Sequence, residues 1–225
     1  MKKTVLEVKI DDINMNEAVI LVANWLKRSG KHYIVTPNPE FLVTAKDNNQ
    51  FQKILNRADL AIPDGVGLRL AGVKNRVSGT DLMESLVKLA AGKDYTIGLL
   101  GGRDGVADLC AERLVREYPS LKVVFISEEW KKALKSTIDI LFVAFGHPKQ
   151  EIWIYENLPK IPVKVAMGVG GAFDYISGKV HRAPGWIRSL GLEWLFRLIL
   201  QPWRAKRQLA LIKYIYLLTR YMQLR

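Results

Sequence analysis

Asp64 stands in Ile62-Pro63-Asp64-Gly65-Val66-Gly67, directly after an apolar run. A carboxylate in such a place can act as a general base, because burial raises its pKa toward the range where it takes protons at neutral pH. An aspartate beside glycine also suits a plain turn, and spacing alone leaves both readings open. A second candidate is Gly101-Gly102-Arg103-Asp104-Gly105, between an apolar run and an amphipathic one. Backbone N–H groups of Gly101 and Gly102 at a helix start suit a phosphate or a sugar nucleotide. The pattern is neither a dinucleotide-binding loop nor a Walker A loop, and a tight turn is its commoner cause. Third, Lys149-Gln150-Glu151 follows the apolar run Leu141 to Phe145. A polar cluster at the mouth of a parallel sheet binds ligands, but Glu in the first turn of a helix has the same look.

Metal chemistry is not indicated. His32, His147 and His181 lie far apart, none has a second ligand at i+3 or i+4, and there is no Asp-x-Asp. We expect neither a metal nor a cofactor. Arginines can replace a divalent ion on a nucleotide diphosphate, binding it bidentately and offsetting charge on a leaving group.

These loops need a scaffold that brings them together. Strands are predicted at Val5 to Ile10, Tyr33 to Val35, Leu60 to Ile62, Tyr95 to Leu100, Val123 to Ile126, Ile140 to Phe145 and Val163 to Met167. Between them lie amphipathic stretches, such as Asn14 to Arg28 with Ala18, Val19, Val22 and Leu26 at helical spacing. This alternation predicts an α/β fold with a mostly parallel, Rossmann-like sheet and helices on both faces. In such sheets ligands bind beyond the carboxyl ends of the strands, where the notable loops fall.

The chain has 225 residues, 49% of them hydrophobic, which excludes a disordered protein. Its single cysteine, Cys110, cannot form an internal disulfide and reads as a buried small hydrophobe. The N-terminus has no long apolar segment, so no signal peptide is expected, and no uncharged apolar run reaches the ~18 residues of a spanning helix. The formal charge is +12. From Lys179 onward ten basic residues face one acid, Glu193, so +9 of the total lies there. We therefore divide the chain into an α/β catalytic domain, 1–185, and a basic helical appendage, 186–225. Tryptophans and tyrosines interleaved with arginines in the appendage suit an anionic membrane surface. No recognition helix or RNA-binding signature accompanies the charge, so nucleic acid is not an expected partner. A non-enzymatic basic membrane protein would explain the appendage but would leave the loops without purpose. A homo-oligomer formed through apolar faces of the core stays open.

Read together, Thr36-Pro37-Asn38-Pro39-Glu40, Pro63-Asp64-Gly65-Val66-Gly67, Val77-Ser78-Gly79-Thr80-Asp81-Leu82, Leu141 through Glu151, Met167 through Asp174, Arg182-Ala183-Pro184 and Gly191 through Arg197 resemble the WecG/TagA/CpsF family of glycosyltransferases, in order and over nearly the whole chain. The resemblance implies an inverting, metal-independent transferase, peripheral on the cytoplasmic face of a bacterial membrane. It implies transfer of N-acetylmannosamine from its UDP-sugar to undecaprenyl-diphosphate-linked N-acetylglucosamine, in wall teichoic acid linkage-unit synthesis. Relatives use other UDP-sugars, such as UDP-glucose, UDP-glucuronate or the N-acetylmannosaminuronate donor, for exopolysaccharide, capsule or common antigen. By the same resemblance Asp64 is the base, and Thr36 and Asn38 line the pocket beside it. Arg76 and Gln150 contact substrate, and Arg197, Arg204 and Arg207 stabilise the diphosphate from an appendage that closes over the site. Backbone N–H groups around Gly101-Gly102 and Gly170-Gly171 are expected to help hold the donor. One departure stands out: between Phe125 and Asp139 the chain is shorter than its relatives and lacks their Gly-Tyr-rich loop. No contacts to the nucleotide base carry over from that stretch.

Overall fold

The computed structural model describes residues 1–130, 137–202 and 205–223, the side chains of 206–208 excepted. Two short strands, β1 (Lys2–Val5) and β2 (Val8–Asp11), form an antiparallel hairpin apart from the main sheet. The single strand expected from Val5 to Ile10 is therefore corrected. The chain reverses at Leu6 and Glu7, whose φ angles are 44° and 66°. Side chains other than glycine rarely adopt that conformation, so the sequence carries no turn signal. Tertiary contacts hold it instead: Leu6 is buried, the Glu7 carboxylate accepts from Lys46 and Gln52 at 3.1 Å each, and Asn56 Nδ2 donates to Glu7 O at 2.9 Å.

The main sheet has six strands, all parallel: β3 (His32–Val35), β4 (Leu60–Ala61), β5 (Thr96–Gly101), β6 (Lys122–Ser127), β7 (Ile138–Ala144) and β8 (Val163–Gly168), in the order β4-β3-β8-β7-β5-β6. After Asp139 and Lys164, which pair at 2.8 Å near their starts, central β7 and β8 carry no polar side chain because both their faces are covered. Alternate residues feed two cores: Ile140 and Phe142 look into one, Leu141 and Val143 into the other. The predicted α/β fold with a parallel sheet is the one observed.

Among the described residues, seven helices belong to this layer structure: α1 (Met15–Leu26), α2 (Pro39–Asp47), α3 (Asn49–Asn56), α4 (Gly79–Lys93), α5 (Val106–Glu117), α6 (Lys149–Asn157) and α7 (Ala172–Ile176). Their starts are coded locally. Asn14 and Glu17 form a reciprocal capping box on α1, and Asn38 caps α2 with Pro39 at the first helical position. Cys110 lies buried on α5, and burial pushes its thiol up to about 12, as expected of a packing residue.

Three helices follow: α8 (Gly185–Ser189), α9 (Glu193–Leu200) and α10 (Ala205–Gln223). α10 packs on α2. Tyr214 and Leu218 are buried in the core that α2 and α3 share, the Tyr214 hydroxyl donates to Gly67 O at 3.2 Å, and Lys213 pairs with Asp47 at 2.6 Å. Large apolar side chains of this region are also open to solvent: Trp186, Leu190, Ile199, Leu209 and Ile212 are all more than 60% exposed.

Candidate active site

The loops after β3, β4, β7 and β8 converge on one cavity of about 810 Å³, within the range that accommodates a nucleotide-sized ligand. Thr36, Asn38, Asp64, Arg76, Gln150, Gly170, Gly171 and Arg197 all line it. Gly101 and Gly102 do not. Gly101, at φ 95°, passes so close to β7 that a Cβ would lie 2.8 Å from the Ala144 carbonyl carbon, and the Gly102 N–H donates to Ala144 O at 3.3 Å. Strand packing requires glycine at Gly101, a φ of 76° favours it at Gly102, and the Gly102 donor is already used. Arg204 lies outside the described residues. Arg207 belongs to α10, but its side chain is outside them too. Of the shortened stretch after Phe125, residues 131–136 also lie outside the described part.

Asp64 follows β4, and its backbone N–H donates to Pro37 O at 3.0 Å, tying the loops after β3 and β4 together. The N-terminus of α4 comes up to its carboxylate, which accepts the Gly79 N–H. The approach is close: a Cβ on Gly79 would lie 3.1 Å from Thr36 Cγ2, tighter than an ordinary contact, and 3.5 Å from Asp64 Oδ2. Burial pushes the Asp64 carboxyl up to about 7, with the Glu193 and Asp81 carboxylates acting in the same direction. The Gly79 N–H and the Arg76 guanidinium oppose them. The outcome is a carboxylate poised to exchange protons near neutral pH.

Arg76 is set by the segment before it. The Asp12 carboxylate accepts the backbone N–H of Lys74 and Asn75 and the Asn75 side chain, at 2.8–3.1 Å. Arg76 itself donates to Arg188 O at 2.6 Å. Asn38 spends its side-chain oxygen on the N–H groups of Glu40 and Phe41, at 2.9 and 3.2 Å, so it shapes the cavity floor by starting α2. Gln150 is buried, and its Oε1 accepts from the N–H groups of Gly146 and Gly170 at 3.2 and 3.0 Å. It thus ties together the loops after β7 and β8. Its Nε2 donates to the buried Glu151 at 2.6 Å. Across the cavity, the Arg197 guanidinium lies over the Tyr175 ring at 4.8 Å and against Gly171, where a Cβ would meet it at 2.6 Å.

Four further residues emerge that carried no assigned role in the sequence reading: Arg182, Arg188, Glu193 and Trp194. Arg182 pairs with Asp81 at 2.6 Å and Glu193 at 3.2 Å, and donates to Ser78 Oγ at 3.2 Å. Burial works against its charge, but Asp81, Glu193 and Glu84 outweigh it and raise its pKa. Arg188 also reaches Asp81 at 3.2 Å. These contacts fasten α8 and α9 to the start of α4, across the cavity. Glu193 was legible as the one acid in a basic tail, and Arg182 and Asp81 already stood in motifs.

The glycosyl transferase WecG/TagA/CpsF family model matches residues 3–225. The chain belongs to this family. It is 34% identical over 206 residues to the N-acetylglucosaminyldiphosphoundecaprenol N-acetyl-beta-D-mannosaminyltransferase of Bacillus subtilis, covering 82% of this chain and 80% of the relative. The Bacillus spizizenii protein of the same name is 34% identical over 209 residues, covering 87% and 81%. This glycosyltransferase therefore carries its family's sequence from the hairpin to α10, and the cavity is assembled from the family's motifs. Among its described residues no helix is long and apolar enough to cross a membrane.

Proposed function

We propose that the protein moves N-acetylmannosamine from UDP-N-acetylmannosamine to N-acetylglucosamine on undecaprenyl diphosphate, with inversion and without a metal ion, in making the linkage unit of wall teichoic acid. The observation that carries the chemistry is Asp64, at the cavity floor with its pKa near neutrality and the α4 N-terminus against it. The names of the two Bacillus relatives support the choice of donor sugar and acceptor.

In this reading Asp64 takes the proton of the acceptor hydroxyl. The hydroxyl oxygen bonds to the anomeric carbon from the face opposite the phosphate. The bond from that carbon to the phosphate oxygen breaks, and UDP leaves with the electron pair. Arg197, joined by Arg204 and Arg207, offsets the charge on the departing diphosphate. Thr36 and Arg76 flank the reacting hydroxyl, and Gln150 keeps the Gly146 and Gly170 loops in register. General-base help contributes roughly 10²–10⁴-fold, and one charge-stabilising donor roughly 10²–10³-fold. The open apolar side chains of α8 to α10, with the basic residues among them, seat the enzyme peripherally on the cytoplasmic face of the membrane. Turnover in excess chelator together with an inverted anomeric configuration in the product tests the reaction type. Activity that vanishes with chelator and returns with a divalent ion, or a retained configuration, contradicts it.

A further inference from the structure

The cavity lining is of two chemical kinds. Asp64, Arg69, Arg76, Arg188 and Arg197 are charged. Leu70, Trp194, Leu198, Leu211 and Ile215 are apolar. These five come from three elements that the fold holds together. The 3₁₀ segment Val66–Ala71 leads away from Asp64 and carries Leu70. The Tyr214 hydroxyl bonds Gly67 O, so α10 lies along this segment. Leu211 and Ile215 are four residues apart on α10 and flank Tyr214, which places them on one face of the helix. Leu198 and Trp194, also four apart, stand on α9 beside Arg197.

This apolar wall is not closed. Leu70 is 58% exposed, Ile215 44% and Trp194 40%. Leu195 and Ile199 on α9 and Ile212 on α10, which do not line the cavity, are exposed as well. A nucleotide base could stack on Trp194, but a nucleotide sugar and a second sugar carry no hydrocarbon to cover the aliphatic Leu70, Leu198, Leu211 and Ile215. A ligand that is anionic at one end and hydrocarbon at the other fits both kinds of lining in the one cavity. We propose that the groove bounded by Leu70, Trp194, Leu198, Leu211 and Ile215 binds the first isoprene units of a polyprenyl diphosphate acceptor. The proposal rests on the acceptor reading given above and adds a subsite to it. The lipid is gripped by the protein next to its diphosphate, and is not merely presented by the bilayer.

The test removes the bilayer. N-acetylglucosamine diphosphate esters of methanol and of geraniol are compared as acceptors, below any micelle-forming concentration and without vesicles or detergent. The geranyl ester should have a KM at least about tenfold lower, the effect of burying roughly two methylenes. Leu211→Asn and Leu70→Asn, on different elements, should each bring the ratio of the two KM values close to one. Ile212→Asn, on the outward side of α10, should keep it. Equal KM values in the native protein, or a ratio that survives both groove substitutions, overturns the proposal. If neither ester is glycosylated, the acceptor reading itself fails. The groove is then judged by calorimetry with geranyl diphosphate and methyl diphosphate: equal affinities overturn it, and tighter geranyl binding lost in Leu211→Asn upholds it.

Discussion

Asp64→Asn should make the protein more stable at alkaline pH while disabling it. Asparagine is nearly isosteric and can still accept the Gly79 N–H, so the change isolates the charge. Burial and the carboxylates of Glu193 and Asp81 raise the Asp64 pKa from an ordinary 3.8 to about 7. Because the folded pKa lies above the unfolded one, the folded state holds the proton more tightly. Below pH 3.8 both states are protonated and Asp64 has no effect on stability. Between 3.8 and 7 the unfolded chain ionises first, and stability falls as pH rises. Above pH 7 the full cost of the buried charge is present. About three pH units correspond to a ceiling of roughly 4 kcal/mol. Asp64 faces an open cavity that water enters, so we expect about 1–3 kcal/mol, or a Tm rise of roughly 2–10 °C in a chain of this size. Thermal unfolding of both proteins at pH 4 and pH 8 reads this directly. The gain should be present at pH 8 and absent at pH 4, with turnover at pH 8 reduced by roughly 10²–10⁴-fold. A variant that is no more stable at pH 8, or that keeps its turnover, refutes the reasoning about this carboxyl.

Three other outcomes follow from the same geometry. The kcat/KM of the native enzyme should fall below about pH 7 as Asp64 takes up its proton, and Glu193→Gln should move that limb to lower pH, since Glu193 helps raise the Asp64 pKa; an unmoved limb in the pH–rate profile contradicts the pairing. Gln150→Ala leaves the Gly146 and Gly170 N–H groups without their acceptor, so it should lower stability by about 1–3 kcal/mol in denaturant titration. Combined Trp186→Ala and Ile199→Asn, both on exposed positions, should weaken sedimentation with anionic vesicles at least tenfold with little change in Tm; unchanged sedimentation places the membrane contact elsewhere.

Much of this could be read before the structure, for local reasons. β7 from Ile140 and β8 from Val165 declare themselves as apolar runs, and Asn14 and Asn38 announce helix starts through capping chemistry. The loops after strands must meet at one sheet edge, which is why seven of the proposed site residues share a cavity, and α9 brings Arg197 to it as the eighth. What was not legible depends on contacts distant in sequence. Leu6 and Glu7 turn because the core holds Leu6 and Lys46, Gln52 and Asn56 hold Glu7. Gly101 and Gly102 look like a phosphate loop, but Gly101 lacks a side chain so that it can pass Ala144, and Gly102 turns the chain at a φ of 76°. The aromatic residues of the tail divide into exposed Trp186 and buried Tyr214, because only part of α10 faces away from α2. Glu193 reaches the site through Arg182, a meeting across several elements that spacing does not encode.

The central claim is the identity of the transfer. Purified protein is given undecaprenyl-diphosphate-linked N-acetylglucosamine in mixed vesicles, with UDP-N-acetylmannosamine and other UDP-sugars in parallel, and the lipid products are read by mass spectrometry. We predict one added N-acetylhexosamine and stoichiometric UDP from UDP-N-acetylmannosamine, lost in Asp64→Asn. Extension of the same acceptor only by a different UDP-sugar, or full extension by Asp64→Asn, would contradict the account.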